Sequence, residues 1–111
     1  MQVNKPNSLN IFGSEYLIEY CNKPSEVDLY KRQSLWGQVD YWTKTIRIYD
    51  NGRCIEDIWH SIFHEILHVI GEGLKLDMLD KGDTDDKRKH DELDMLALAL
   101  TDTLFRNNLI K

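Results

Sequence analysis

The sequence contains few cysteines and no hydrophobic run long enough to cross a bilayer. Its longest apolar run is residues 95–100, whereas a transmembrane helix needs about 20 apolar residues. Residues 1–6 do not contain the apolar core of a signal peptide. The two cysteines, Cys21 and Cys54, are far apart in sequence, so free thiols are expected, with an intrachain disulfide as the alternative. We therefore expect a soluble, cytoplasmic protein that does not insert into membranes.

The sequence also has no excess of positively charged residues. The chain has 14 Lys and Arg against 19 Asp and Glu, for a formal net charge of −5. This balance argues against a surface that follows the phosphates of a nucleic acid, so we do not expect a nucleic-acid partner. The sequence has no internal repeats or low-complexity segments. Its 111 residues fit a single domain, 1–111, with a modest core.

The pattern HExxH at residues 64–68 is the most informative feature that is present. On a helix, residues four apart lie one above the other, so His64 and His68 can direct both imidazoles at a single metal ion. Glu65 lies about 100° around the same turn, where it can take a proton from a water molecule without binding the metal. The pattern therefore predicts two zinc ligands and a catalytic base. The alternative is two histidines and a solvated glutamate on a partly exposed helix.

The residues around the motif predict a helix over about 55–70. Gly71 and Gly73 are expected to end it. His60 lies on the same strip as His64 and His68, and we expect it either to support the site indirectly or to be exposed. The apolar residues that recur at three- and four-residue steps are Ile55, Ile58, Trp59, Ile62, Phe63, Ile66, Leu67 and Ile70.

A catalytic zinc takes three protein ligands and leaves one position for water. Metzincins complete the set within HExxHxxGxxH, and this chain follows that string through Gly71 but fails at Leu74. The other common arrangement takes the third ligand from a second helix. An apolar stripe predicts such a helix over about 88–107, packed against the first.

The first turn of the second helix offers several candidate ligands. In thermolysin-like peptidases, the gluzincins, the pattern there is ExxxD: the glutamate binds zinc and the aspartate orients a histidine. His90-x-x-x-Asp94 resembles this pattern, so we predict His90 as the third ligand and Asp94 as the partner of a histidine N–H. Glu92 is the alternative ligand. The remaining possibilities are a helix start that carries charge without binding metal, or a ligand from the acidic loop that contains Asp77, Asp80 and Asp83.

The first half of the chain reads as strands. A hairpin through residues 42–44 should join the second to the third. Residues 72–87 look like a connection between the helices. The expected fold class is α+β: a small antiparallel sheet of about three strands followed by two packed α-helices. The expected strands are 16–21, 36–41 and 45–49, with a weakly marked one at 9–12.

This order resembles the small zincin-type domains of the ImmA/IrrE-like metallopeptidases and of similar phage-related metallopeptidases. The resemblance covers roughly residues 9–108, and only the HExxH portion is specific. It implies a gluzincin-like fold, Zn²⁺ at His64 and His68, and Glu65 as the catalytic base. The chain departs from the family where His90 stands in place of a carboxylate. The strings that carry the resemblance are Gly37-x-x-Asp40-Tyr41, Thr45-Ile46-Arg47-Ile48, Phe63-His64-Glu65-Ile66-Leu67-His68 and Leu104-Phe105-Arg106-Asn107-Asn108.

The resulting expectation is a zinc-dependent metallopeptidase that hydrolyses peptide bonds, with Glu65 activating a zinc-bound water. Its partner would be a peptide or protein substrate held along a strand edge. Tyr41, Tyr49 and His60 are conceivable donors to the reacting oxygen, and the sequence does not choose among them. Two other functions stay open: a zinc-binding but catalytically inactive interaction or regulatory module, and a metal-free structural or regulatory domain that uses the acidic region 77–94 as its contact surface. The oligomeric state is not predicted.

Overall fold

Four strands and two long helices make up this computed structural model, which describes residues 5–75 and 87–109, with side chains described over 5–75 and 91–109. A 3₁₀ turn, Pro24–Glu26, lies between the second and third strands. None of the helices formed by the described residues has the length and apolar character that a membrane span requires. The elements are β1 (Ser8–Ile11), β2 (Ser14–Cys21), β3 (Gly37–Asp40), β4 (Thr45–Tyr49), α1 (Ile55–Leu74) and α2 (Lys87–Arg106).

The α+β class is confirmed, but the expected sheet was too small and had the wrong strand directions. The sheet has four strands in the order β1-β2-β4-β3. The β1–β2 and β3–β4 pairs are antiparallel, whereas β2 and β4 run parallel with Leu17 opposite Thr45. The parallel pair arises because residues 22–36 carry the chain to the far edge, where β3 starts, and the hairpin then returns β4 beside β2. The sheet is therefore mixed, and β1 and β3 are its edge strands.

The predicted hairpin joins β3 to β4 through residues 41–44. The Asp40 carboxylate shapes this turn by accepting hydrogen bonds from the Trp42 N–H, at 3.0 Å, and from the Thr43 hydroxyl, at 3.1 Å. Lys44 takes the left-handed conformation, with φ 51°. An aspartate that hydrogen-bonds the backbone two residues on is a common way to close such a turn. The turn fixes where β3 ends.

Helix α1 is the middle of three layers, with the sheet on one side and α2 on the other. Ile62 faces the sheet and is fully buried there. Leu67, on another side of α1, packs against Leu93 and Ala97 of α2. Two separate apolar faces explain why so many residues of this helix are hydrophobic. The buried cluster between the sheet and α1 contains Tyr16, Ile18, Ile46, Ile48, Ile58, Ile62 and Val69.

Both helices lie where the sequence predicted them, although α1 is longer. It continues through Gly71 and Gly73, which were expected to end it, and stops at Leu74. Lys75 supplies the left-handed C-cap instead, with φ 56° and its N–H bonded to the Gly71 carbonyl. A glycine is the usual residue at such a cap. Helix α1 therefore extends four residues beyond its predicted end at Ile70.

Candidate metal centre and active-site cleft

The two histidines of the HExxH motif meet at their outer ring nitrogens. The Nε2 atoms of His64 and His68 lie 3.1 Å apart, and the rings meet edge to face with centroids 4.8 Å apart. Two imidazoles that share a tetrahedral zinc at the usual Zn–N distance have nitrogens about 3.3 Å apart. The pair is therefore arranged to accept one ion between these nitrogens with little movement.

Asp94 of α2 fixes the orientation of His64. Its Oδ1 accepts a hydrogen bond from His64 Nδ1 at 2.8 Å, which makes His64 Nε2 the ring nitrogen without a proton when the imidazole is neutral. The same oxygen lies 3.1 Å from His60 Nε2, and the Asp94 carbonyl oxygen lies 3.3 Å from it. The carboxylate thus has the position predicted for the partner of a ligating histidine. His60 contacts it from the other side.

Glu65 is buried between α1 and the edge strand, with only 6% of its surface exposed. A Cβ atom at Gly37 of β3 would lie 2.9 Å from Glu65 Oε2, so the glycine leaves the space that the carboxyl group occupies. Burial, and to a lesser extent the charge of Asp94, raises the pKa of Glu65 to about 8. The carboxyl group therefore holds its proton at neutral pH in the metal-free protein. A cation beside it would lower that pKa by favouring the charged form.

A cleft of about 580 Å³ is lined by β3 and by His64, Glu65 and His68. Its lining also includes residues of the loop before β3, and Tyr41 and Trp42 of the hairpin. Of the three donors left open by the sequence, Tyr41 lines the cleft, and its hydroxyl also donates to the His68 carbonyl oxygen at 3.2 Å. Tyr49 and His60 lie elsewhere. The residues of α1 that line the cleft are His64, Glu65, His68 and Glu72.

The third metal ligand is not identified by the described side chains. His90 lies in the first turn of α2, and its side chain falls outside those that the structure describes. Glu92 is exposed, and Asp77, Asp80 and Asp83 also lie outside the described residues. Among the described side chains, no group of three or more His, Cys, Asp or Glu residues is placed to hold one metal ion. The structure therefore brings together His64, His68, Glu65 and Asp94, and the choice of His90 stays a prediction.

Two further residues of the site were not predicted from the sequence. Gly37 is packed against Glu65, and a glycine inside a strand pattern is a signal for such a close approach. Glu72 lies one turn after His68 on the same side of α1 and lines the cleft. Its carboxylate forms an ion pair with Lys75 at 3.2 Å. Continuing the four-residue spacing beyond the motif would have found Glu72.

Comparisons with protein-family models, with curated proteins and with solved structures give no match to this chain. Any functional reading therefore depends on the chemistry of the residues in the cleft.

Proposed function

We propose that this protein is a zinc-dependent metallopeptidase that hydrolyses peptide bonds, with Glu65 as its catalytic base. The observation that carries the proposal is the convergence of His64 Nε2 and His68 Nε2, 3.1 Å apart, beside a buried glutamate that lines the same cleft. Neutral imidazoles oriented by a carboxylate are the donor set that zinc prefers. The proposed ligands are His64, His68 and His90.

The edge strand supports a peptide as the substrate. β3 has β4 on one side only in the sheet order, and its residues Gly37 to Asp40 line the cleft. An extended peptide can add to such an edge by main-chain hydrogen bonds. A peptide placed there would pass in front of Glu65, because Gly37 leaves no side chain between the strand and the carboxyl group.

The chemistry follows from the position of each side chain. When bound, zinc supplies a Lewis acid that polarises a carbonyl group and acidifies water. Glu65 in its charged form takes a proton from the attacking water and passes it to the leaving amine. His64 and His68 hold the ion, and Asp94 keeps His64 in the tautomer that can bind it. The burial of Glu65, which is 6% exposed, limits the water around its carboxyl group.

The alternative is a zinc-binding interaction or regulatory module without catalytic activity. It shares the same two histidines and the same cleft. It is the function of this site if Glu65 keeps its proton when the metal is bound, because a protonated glutamate cannot act as a base. Only turnover separates the two functions, so the test needs both metal content and cleavage.

The test compares wild type with Glu65→Gln and His64→Ala, with Asp102→Asn as the control. Asp102 pairs with Arg106 on the exposed part of α2. We expect about one zinc per chain in wild type, Glu65→Gln and the control, and none in His64→Ala. Cleavage of a mixed peptide library, followed by mass spectrometry, should occur only in wild type and the control. Zinc without any cleavage would favour the inactive module, and wild-type protein without zinc would contradict both.

The third ligand is tested in the same way with His90→Ala and Glu92→Ala. If His90 binds the ion, His90→Ala loses most of its zinc and Glu92→Ala keeps it. The reverse result would transfer the ligand role to Glu92.

A further inference from the structure

The charges along the cleft are unevenly distributed. Arg32 is the one lysine or arginine among the described residues that line it. The acidic residues of the lining are Asp40, Glu65 and Glu72. Because the whole chain carries a formal net charge of −5, an anionic ligand is repelled by most of the surface. Among the described side chains of the lining, Arg32 is therefore the one that attracts an anion entering the cleft.

Asp28 holds Arg32 in place. This aspartate is fully buried, and its Oδ2 accepts hydrogen bonds from the Arg32 N–H at 3.1 Å and from Arg32 Nε at 3.4 Å. Its Oδ1 accepts from the Tyr30 N–H and from Gln38 Nε2, both at 3.0 Å. Burial alone would raise the pKa of Asp28, but these hydrogen bonds outweigh it and lower the pKa to about 2. The carboxylate therefore stays charged and ties the loop to β3 through Gln38.

The tie to Asp28 uses only part of the Arg32 guanidinium. Nε faces Asp28, and the group lies over the Tyr30 ring, 5.1 Å from its centroid. The two terminal nitrogens make no hydrogen bond to any other described residue, and the side chain is 65% exposed. A guanidinium presents its donors as a planar fork that matches a carboxylate. Asp28 thus holds the Nε edge of the Arg32 guanidinium, and the two terminal nitrogens are available to bind a ligand.

We propose that Arg32 is a specificity-determining residue that binds a carboxylate of the substrate peptide, and this inference rests on the proposed peptidase function. Arg32 lies in the loop that leads into Gly37, which places it at the N-terminal end of β3. Antiparallel strand pairs outnumber parallel ones about two- to three-fold. A peptide that adds antiparallel to β3 directs its C-terminal half towards Arg32. The carboxylate therefore lies on the C-terminal side of the bond that is cleaved, as an acidic side chain or as the free C-terminus.

The experiment measures binding to the zinc-loaded Glu65→Gln protein, in which cleavage is blocked. The probes are four pentapeptides derived from Ala-Ala-Phe-Ala-Ala: the free acid, the C-terminal amide, and amides with Glu or Gln as the last residue. Dissociation constants come from chemical-shift titration of ¹⁵N-labelled protein. A charge-assisted hydrogen-bond pair predicts about 10-fold tighter binding of a peptide with a carboxylate than of its neutral counterpart. The free acid and the Glu peptide distinguish the two sources of the carboxylate.

Three substitutions, each made in the Glu65→Gln protein, test whether Arg32 binds the carboxylate. Arg32→Gln should abolish the preference, and Arg32→Lys should keep part of it, because a lysine retains the charge without the planar fork. Arg106→Gln, on the exposed part of α2, is the matched control and should keep the full preference. The ¹⁵N spectrum of each variant reports whether its fold is intact.

The outcomes separate this inference from the proposed function. Equal binding of charged and neutral peptides, no measurable binding of any of the four, or a preference that survives Arg32→Gln would overturn it, even if the wild-type protein cleaves peptides. A preference that requires Arg32 in a protein without cleavage activity would leave the carboxylate site standing and remove the peptidase.

Discussion

One oxygen of Asp94 lies within hydrogen-bond distance of two histidines, His60 and His64. Carboxylates in this position set the tautomer and the direction of a ligating imidazole, and their loss usually weakens metal binding 10–100-fold. We therefore expect Asp94→Ala to bind zinc about 10–100-fold more weakly than wild type, as measured by competition with a chromophoric chelator. Asp102→Ala, on the same helix, should bind zinc as wild type does. Equal affinities of Asp94→Ala and wild type would show that His64 needs no orienting partner.

A second prediction concerns the buried carboxyl group of Glu65, in protein from which a chelator has removed any metal. Its folded-state pKa of about 8 lies above the ordinary 4.5, so between these pH values the folded protein keeps a proton that the unfolded chain has released. The free energy of unfolding must then fall as pH rises through this window. We expect Glu65→Gln to be more stable than wild type at pH 8, by on the order of a few kcal/mol, and to match it near pH 4.

Urea unfolding at several pH values measures this difference. Glu56→Gln, at an exposed position of the same helix, is the control and should leave the pH dependence of wild type unchanged. A constant offset between Glu65→Gln and wild type at all pH values would argue against a protonated, buried Glu65.

At this scale, the sequence predicted a contact that depends on a short spacing. His64 and His68 are four residues apart on a helix, so helix geometry alone predicts that their rings meet, and they do. Asp94 could be proposed because a second helix with an apolar stripe had to pack nearby. Arg32 could not be found, because its place in the cleft depends on a loop anchored by the buried carboxylate of Asp28.

At the scale of elements, the packing of β3 against α1 depends on a missing side chain. A Cβ at Gly37 would approach Glu65 Oε2 to 2.9 Å and Ile48 Cδ1 to 3.3 Å. We expect Gly37→Ala to push the strand and the helix apart, to lower the free energy of unfolding by about 1–3 kcal/mol and to reduce peptide cleavage. Urea unfolding and the library cleavage assay measure the two effects.

Gly73 provides the matched control for Gly37→Ala. A Cβ there would meet only Phe12, at an ordinary contact distance of 3.5 Å. Because Gly73 lies inside α1, alanine should raise stability by about 0.5–1 kcal/mol without affecting cleavage. If both substitutions behaved alike, the contact between Gly37 and Glu65 would not be the cause.

The elements themselves were predicted with uneven success. Both helices followed from their apolar periodicity, and the β3–β4 hairpin followed from a short polar segment between two strands. The parallel pairing of β2 with β4 was missed, because alternation of residues along a strand says which face is buried and nothing about its neighbour. Leu17 pairs with Thr45, which is far from it in sequence. Tertiary packing determines this pairing, and local sequence patterns give no information about it.

At the scale of the whole molecule, α1 belongs both to the core and to the proposed metal site. A ligand that binds only the folded state stabilises it, by about 2.7 kcal/mol at 100 times its dissociation constant. For a chain of this size, we expect zinc at that concentration to raise the melting temperature by about 10 °C. Thermal unfolding followed by circular dichroism measures the shift. His64→Ala should show no zinc-dependent shift, and an equal shift in that variant would place the stabilising ion elsewhere.

The strand order also has a consequence for how the chain reaches its native state. The β3–β4 hairpin joins residues close in sequence, such as Asp40 and Thr45, whereas the β2–β4 pairing must close a loop of nearly thirty residues. Short loops close sooner and at lower entropic cost than long ones. The hairpin should therefore form early and dock onto β2 as a preassembled unit. Until it docks, a newly synthesised chain has no cleft, which delays the onset of any hydrolytic activity until folding is nearly complete.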